Sequence, residues 1–164
     1  MTKKQKKRRI RPLALCVFQR NEKIFVARGF DAHKGQTFYR PIGGRVEFGE
    51  RASDAVAREV REEIDAEVAH LTYLGALENI FTYEGKPHHE IVLIFDGRFT
   101  DPALNQDDVT VTGSDDGDVL YQGSWKRMDF FRGDGAPPLY PTGLLDLLDS
   151  LANDGSEPLN CGTC

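Results

Sequence analysis

The chain has 164 residues, 40% of them hydrophobic and 29% charged, with a formal net charge of −5, which suits one domain able to bury its own core. No apolar run approaches the roughly 20 residues of a transmembrane helix, and the charged N-terminus lacks the apolar stretch of a signal peptide, so a soluble cytoplasmic protein with no membrane partner is expected. Seven of the 21 Lys and Arg (Lys3, Lys4, Lys6, Lys7, Arg8, Arg9 and Arg11) stand within residues 1–11 with no acid among them, leaving 14 to face all 26 acids.

That basic stretch reads as a disordered arm over residues 1–9, with contact to RNA or to an anionic substrate as the alternative. Residues 10–18 and 23–28 read as strands joined by a hairpin turn at Asn21-Glu22. A loop over 29–37 is followed by a short strand at Phe38-Tyr39-Arg40. A helix is expected over 52–64, with Ser53 or Asp54 available to cap its start. Its apolar stripe, Val56, Val60 and Ile64 with Ala57 beside it, points about 120° away from the acids of the same helix. Residues 68–79 and 89–99 read as two strands paired across the turn at 83–87. The polar, acidic stretch 100–118 suggests a mobile loop, 119–128 a strand carrying Trp125, and 141–151 a second helix. The domain therefore spans 10–152, ahead of a flexible tail at 153–164. Cys16, inside an apolar run, reads as a small buried hydrophobe. Cys161 and Cys164 form a CxxC with no second Cys or His pair at zinc spacing, and read as part of the tail.

The chemistry concentrates between Gly44 and Glu63. Five residues separate Gly44 from Glu50, and seven more lead to Arg58-Glu59-Val60-Arg61-Glu62-Glu63. A run of acids on a helix is by itself the ordinary mark of a solvated face, and Asp54 to Arg58 is an ordinary i,i+4 pair. Here, however, Glu59, Glu62 and Glu63 crowd within about 100° of one helix face, where like charges repel. A glycine-turned loop, Pro41-Ile42-Gly43-Gly44 through Gly49-Glu50, lets backbone approach a ligand. Hard oxygen ligands on a rigid element suit Mg²⁺, which also keeps waters and substrate phosphate oxygens.

This pattern resembles the Nudix box, the signature of the Nudix hydrolases: Gly, five residues, Glu, seven residues, Arg-Glu-aliphatic-any-Glu-Glu-any-Gly-aliphatic. Gly44, Glu50, Arg58, Glu59, Val60, Glu62 and Glu63 match; Asp65-Ala66 replaces the final Gly-aliphatic pair. The family glycine closes the helix at positive φ, a conformation Asp adopts more readily than most residues, so the departure bears on local stability rather than on the ligands. The stretches 78–85 and 89–92 also look like bacterial Nudix sequences of no fixed substrate. The resemblance implies an α/β/α sandwich with a mixed sheet, and a possible homodimer.

The resemblance also implies attack of water on a phosphoanhydride of a nucleoside diphosphate linked to another group. Mg²⁺, with Mn²⁺ as the alternative, would be held by Glu59, Glu62 and Glu63 and by the Gly44 carbonyl, with Glu50 holding a metal-bound water or supporting the loop. Arg58 would orient Glu50 or another glutamate through a bidentate contact, and a helix glutamate, Glu59 or Glu62, is a candidate general base. Outside the box, Glu90, Asp115, Asp116 and Asp118 are candidate acids; for Glu90 the alternative is an exposed cross-strand charge. Many relatives carry an acid shortly before the late tryptophan, where this chain has Tyr121-Gln122-Gly123-Ser124. Of His88 and His89 at most one can face a site, because neighbours on a strand point oppositely. Arg28, Arg40 and Arg45 are candidate phosphate clamps, and Phe38, Tyr39, Phe81 and Tyr83 candidate base-stacking rings, with core packing the commoner use of such aromatics. ADP-ribose, nucleotide sugars, dinucleoside polyphosphates and (deoxy)nucleoside triphosphates all remain open as substrates. A nucleotide-binding domain without turnover and an enzyme acting on the 5′ end of RNA are the rival readings.

Overall fold

The computed structural model describes residues 8–115 and 119–154. Most of the expected arm (1–9) and tail (153–164) lie outside the described residues, as do Asp116, Asp118, Cys161 and Cys164 and the side chain of Asp115.

The strands β1 (Arg11–Arg20) and β2 (Lys23–Asp31) are joined at Asn21 and Glu22, both left-handed (φ 48° and 59°), as a two-residue hairpin turn requires. They pair only next to that turn, Gln19 with Ile24 and Arg20 with Lys23, and then part. The next stretch crosses the gap between them. Its first half, β3 (Gln36–Arg40), pairs antiparallel with β2; after Pro41 its second half, β4 (Ile42–Arg45), pairs antiparallel with β1. On the far side of β1 lies β6 (Lys86–Phe99), parallel to it, and then β5 (Val68–Tyr83) at one edge; β8 (Val119–Arg127) and β7 (Thr110–Asp115) extend β2 to the other edge. The order is β5-β6-β1-β2-β8-β7, a mixed sheet with β3 and β4 attached to β2 and β1.

The unbroken apolar run of β1 follows from burial on both faces. Ala14, Cys16 and Phe18 pack with Val56, Val60 and Ile64 of α1 (Ala52–Ile64), whereas Leu15 and Val17 pack with Leu144 and Leu148 of α2 (Leu144–Asp154). Complete burial of Val56 and Val60 contributes about 2 kcal/mol each. Helix, sheet, helix: the layers are those of an α/β/α sandwich. Cys16 is a buried free thiol, and burial raises its pKa well above the ordinary value. Among the described residues no helix is long and apolar enough to cross a membrane.

Several sequence expectations need correction. The loop read over 29–37 shrinks to 32–35, because the β2–β3 ladder continues to Asp31 and Gln36. The stretch 42–45, read as loop, is the strand β4. The polar segment 100–118 is structured over its described part: Asp101 accepts a bond from the Ala103 N–H (2.8 Å) at the head of a 3₁₀ turn, Pro102–Asn105, and β7 follows as an edge strand. Its polar composition is that of an edge, which needs only one buried face. Helix α1 starts without the expected cap. Arg51 occupies the N-cap with extended backbone and makes no side-chain capping bond, so Ser53 and Asp54 fall inside the first turn. Its C-terminus does follow expectation, with Asp65 left-handed (φ 51°) and its N–H bonded to the Arg61 carbonyl (3.0 Å). Helix α2 begins at Leu144 rather than at residue 141, after a turn through Gly143 (φ 88°).

Candidate active site

Where β1 and β2 part, a cleft of about 1360 Å³ opens. The β3–β4 crossing delivers Arg40, Gly44 and Arg45 to it, and α1 delivers Arg58, Glu59, Glu62 and Glu63.

Arg58 is the hub of the box. Its Nε and one Nη donate to the two oxygens of Glu50 (2.8 and 3.0 Å), and the other Nη donates to Glu59 (2.9 Å) and Glu62 (3.0 Å). A further bond to the Arg45 carbonyl (2.9 Å) ties the hub to the end of β4. The two parallel bonds to Glu50 have the planar fit that a lysine cannot reproduce. They hold the Glu50 carboxyl below its usual range, helped by the Glu47 N–H, and raise the pKa of Arg58. Gly44 lies directly against Glu59: a Cβ there would stand 2.6 Å from the carboxylate carbon and one oxygen. A side chain at position 44 would therefore displace Glu59.

The three helix glutamates share one face but not one environment. Glu62 is 59% exposed at its side chain. Glu63 is 6% exposed, accepts a 2.6 Å bond from the Tyr121 hydroxyl, and lies 4.0 Å from an Arg40 nitrogen. Among the described residues, no three carboxylate, imidazole or thiol groups already converge as a metal site; Glu50, Glu59 and Glu62 converge on Arg58 instead. The donors fit a hard divalent cation in kind, being carboxylate oxygens on a rigid helix beside the backbone of Gly44. An ion held there would compete with Arg58 for Glu59 and Glu62.

The remaining predicted residues divide. Arg28, Arg40 and Arg45 all line the cleft. Tyr39 does not: it is buried against Phe130, Phe131 and Leu139. Strand alternation turns its neighbour Phe38 into the cleft in its place. Glu90 is not an exposed cross-strand charge but a buried one, 6% exposed, paired with Arg11. Arg11 also reaches His88 Nδ1 (2.8 Å), and burial, then the Arg11 charge, lower the His88 pKa. His89 bonds Glu78 instead (2.7 Å). Phe38, Phe81 and Tyr83 line the cleft with Tyr140; Phe81 stacks on His88 (5.1 Å between centroids), and Phe38 meets Tyr83 and Tyr140 edge to face (5.8 and 5.7 Å). Beside these rings the β2–β3 and β5–β6 turns touch, through the Ala32 N–H to Glu84 (2.8 Å) and Lys34 to the Thr82 carbonyl.

Sequence reasoning missed Arg11, Tyr121 and Tyr140. Arg11 was hidden in the basic run, although its place one residue after Ile10 already set it on a strand. Tyr121 was noticed only as the absence of an acid. Tyr140 follows no readable pattern, since the segment before α2 is irregular.

Known proteins agree with this picture. The NUDIX domain profile matches residues 7–120. NAD-capped RNA hydrolases NudC of Pseudomonas aeruginosa and Pseudomonas putida are 37% identical over 68 residues, 42% of this chain but only 24% of theirs, so the match spans about a quarter of those relatives. Two solved structures share the fold at low identity. One is a NUDIX hydrolase from Nitrosomonas europaea, with TM-score 0.64, 16% identity, and coverage of 95% of this chain and 97% of that one. The other is a MutT NUDIX hydrolase from Burkholderia pseudomallei, with TM-score 0.60, 18% identity, and coverage of 84% and 95%. With the box complete in its charged positions and the sandwich in place, the chain belongs to the NUDIX domain family, the Nudix hydrolases.

Proposed function

We propose that this protein hydrolyses a phosphoanhydride in a nucleoside diphosphate joined to a second group, with Mg²⁺ (or Mn²⁺) as the metal. The observation that carries the reading is the two-ended cleft: a carboxylate and guanidinium cluster at one end, and a set of aromatic rings at the other. Its volume of about 1360 Å³ exceeds the roughly 300–1,000 Å³ of ordinary small-ligand pockets and leaves room for a substrate of two linked moieties.

Glu59, Glu62, Glu63 and the Gly44 carbonyl would hold the metal, with Glu50 supporting the loop through Arg58. When bound, Mg²⁺ would supply charge neutralisation on the phosphate oxygens and lower the pKa of an attacking water. Arg40 and Arg45 stand beside the box and would bind the diphosphate oxygens, with Arg28 farther along the β2 wall. Glu62, the most exposed of the three glutamates, is best placed to take the proton of the attacking water. Phe38, Phe81 and Tyr83 would seat a ring, and the partly buried Arg11–Glu90 pair beside His88 would present polar atoms to it. Glu90 thus belongs to recognition in this reading, rather than to the bond-breaking step.

The similarity to NAD-capped RNA hydrolases favours a second, narrower reading, in which the linked group is a second nucleotide, as in NAD or an NAD cap. One panel tests both: ADP-ribose, nucleotide sugars, NAD, NAD-capped RNA, dinucleoside polyphosphates and triphosphates, each with and without EDTA. Turnover of a diphosphate-linked class, abolished by EDTA and by Glu62→Gln or Glu63→Gln, is expected. Preference for triphosphates would overturn the substrate class, and folded protein that binds nucleotide and Mg²⁺ without turnover would leave a binding role.

A further inference from the structure

Tyr121 lies on β8 among buried residues on the α1 side of the sheet, and its hydroxyl donates to Glu63 at 2.6 Å. Phenylalanine would fill the same volume, so the hydroxyl's bond to Glu63 gives the tyrosine a reason; a buried hydroxyl without a bond is destabilising. The neighbouring strand is shaped to admit it. Gly113 of β7 is the cross-strand partner of Tyr121, and a Cβ there would lie 2.5–2.7 Å from the ring carbon bearing the hydroxyl and from the hydroxyl oxygen itself. Gly113 is not among the glycines with positive φ, so space, not backbone conformation, calls for glycine. Gly113, Tyr121 and Glu63 thus form a line from the sheet edge to the buried end of the box.

We propose that Tyr121 is a positioning residue for metal binding: its hydroxyl holds one Glu63 oxygen and so sets the plane of that carboxylate. The inference rests on the reading of Glu63 as a metal ligand. Partners that orient a ligating carboxylate typically account for 10–100-fold in metal affinity. Arg40, 4.0 Å from the other Glu63 oxygen, flanks the carboxylate but is too far for a short directional bond.

The test is Mn²⁺ affinity, measured by calorimetry or electron paramagnetic resonance, for wild type, Tyr121→Phe, Glu63→Gln and the double variant, with circular dichroism confirming each fold. Tyr121→Phe should weaken Mn²⁺ binding 10–100-fold, and should weaken it no further in the Glu63→Gln background. Gly113→Ala, which keeps the hydroxyl but takes its space, should weaken binding in the same direction and serves if Tyr121→Phe does not fold. Wild-type affinity in Tyr121→Phe, or an undiminished loss in the Glu63→Gln background, overturns the proposal while leaving the metal site standing. Absence of Mn²⁺ binding by the wild type, or unchanged binding in Glu63→Gln, instead removes Glu63 as a ligand, and the proposal falls with that reading.

Discussion

At one end of the cleft the carboxylates and Arg58 come from the twenty residues from Gly44 to Glu63, with Arg40 added from β3; at the other, Arg11, Phe38, Phe81, His88 and Tyr140 arrive on five separate segments. The first end is organised by one helix and one guanidinium: Arg58 touches Glu50, Glu59 and Glu62 directly. The second is organised by ring packing and the partly buried Arg11–Glu90–His88 chain. Directional charge–charge contacts around reacting atoms tolerate little displacement, whereas aromatic walls lose affinity in steps. Substitutions at the box end should therefore act on kcat, and those at the aromatic end on KM.

The largest expected effect is from Glu62→Gln, which should lower kcat about 10²–10⁴-fold with little change in KM; a steady-state assay with a substrate from the panel checks it. An equal fall in kcat from Phe81→Ala would erase the distinction between the ends. Gly44→Ala comes next. Its methyl would stand 2.6 Å from the Glu59 carboxylate, the far end of a flexible side chain that can swing aside, so kcat should fall again while urea unfolding changes by less than about 1 kcal/mol. At the other end, Phe81→Ala should raise KM about tenfold with kcat nearly unchanged, the scale of one lost base–aromatic contact.

The effect of pH sharpens the same contrast. His88 has its pKa lowered, first by burial and then by Arg11, so below the ordinary value near 6.5 the unfolded chain takes up a proton that the folded protein resists. The stability contributed by the neutral ring is therefore complete above that value and is lost as pH falls through it. Comparing melting temperatures at pH 7.5 and 5.5 should show a drop that is smaller in His88→Gln; an identical drop in both would place the titrating group elsewhere. The smallest effect belongs to Asp65→Gly. Relief of the left-handed conformation at φ 51°, worth about 1–2 kcal/mol for an ordinary residue, is offset by the added freedom of glycine in the unfolded chain. A net gain of about 0.5 kcal/mol is expected in chemical denaturation.

The residues most readable in the sequence were those whose relations span a few turns of one helix. The spacing of Arg58, Glu59, Glu62 and Glu63 fixes their common face whatever surrounds them, and α1 runs over the residues expected, Ala52–Ile64. Strand boundaries were readable to within a few residues wherever both faces are buried, as in β1. They were misread at β4, where glycines suggested a loop, and at β7, where an edge strand carries polar residues. Tyr39 and Phe38 were read alike as candidate stacking rings; alternation sets them on opposite faces, but only the packing of Phe130, Phe131 and Leu139 decides that the Tyr39 face is closed.

By itself, then, the sequence determined the acid-bearing helix, because helical periodicity is a local property, and the family, because the spacing of Gly44, Glu50 and Arg58 to Glu63 is read along the chain. Only the tertiary structure decided where the cleft opens, that Glu90 is buried against Arg11, and that Tyr121 reaches Glu63 from 58 residues away. Those contacts depend on where β1 and β2 part and on which strand lies beside which. Such relations arise from the packing of distant segments and leave no spacing in the chain to read.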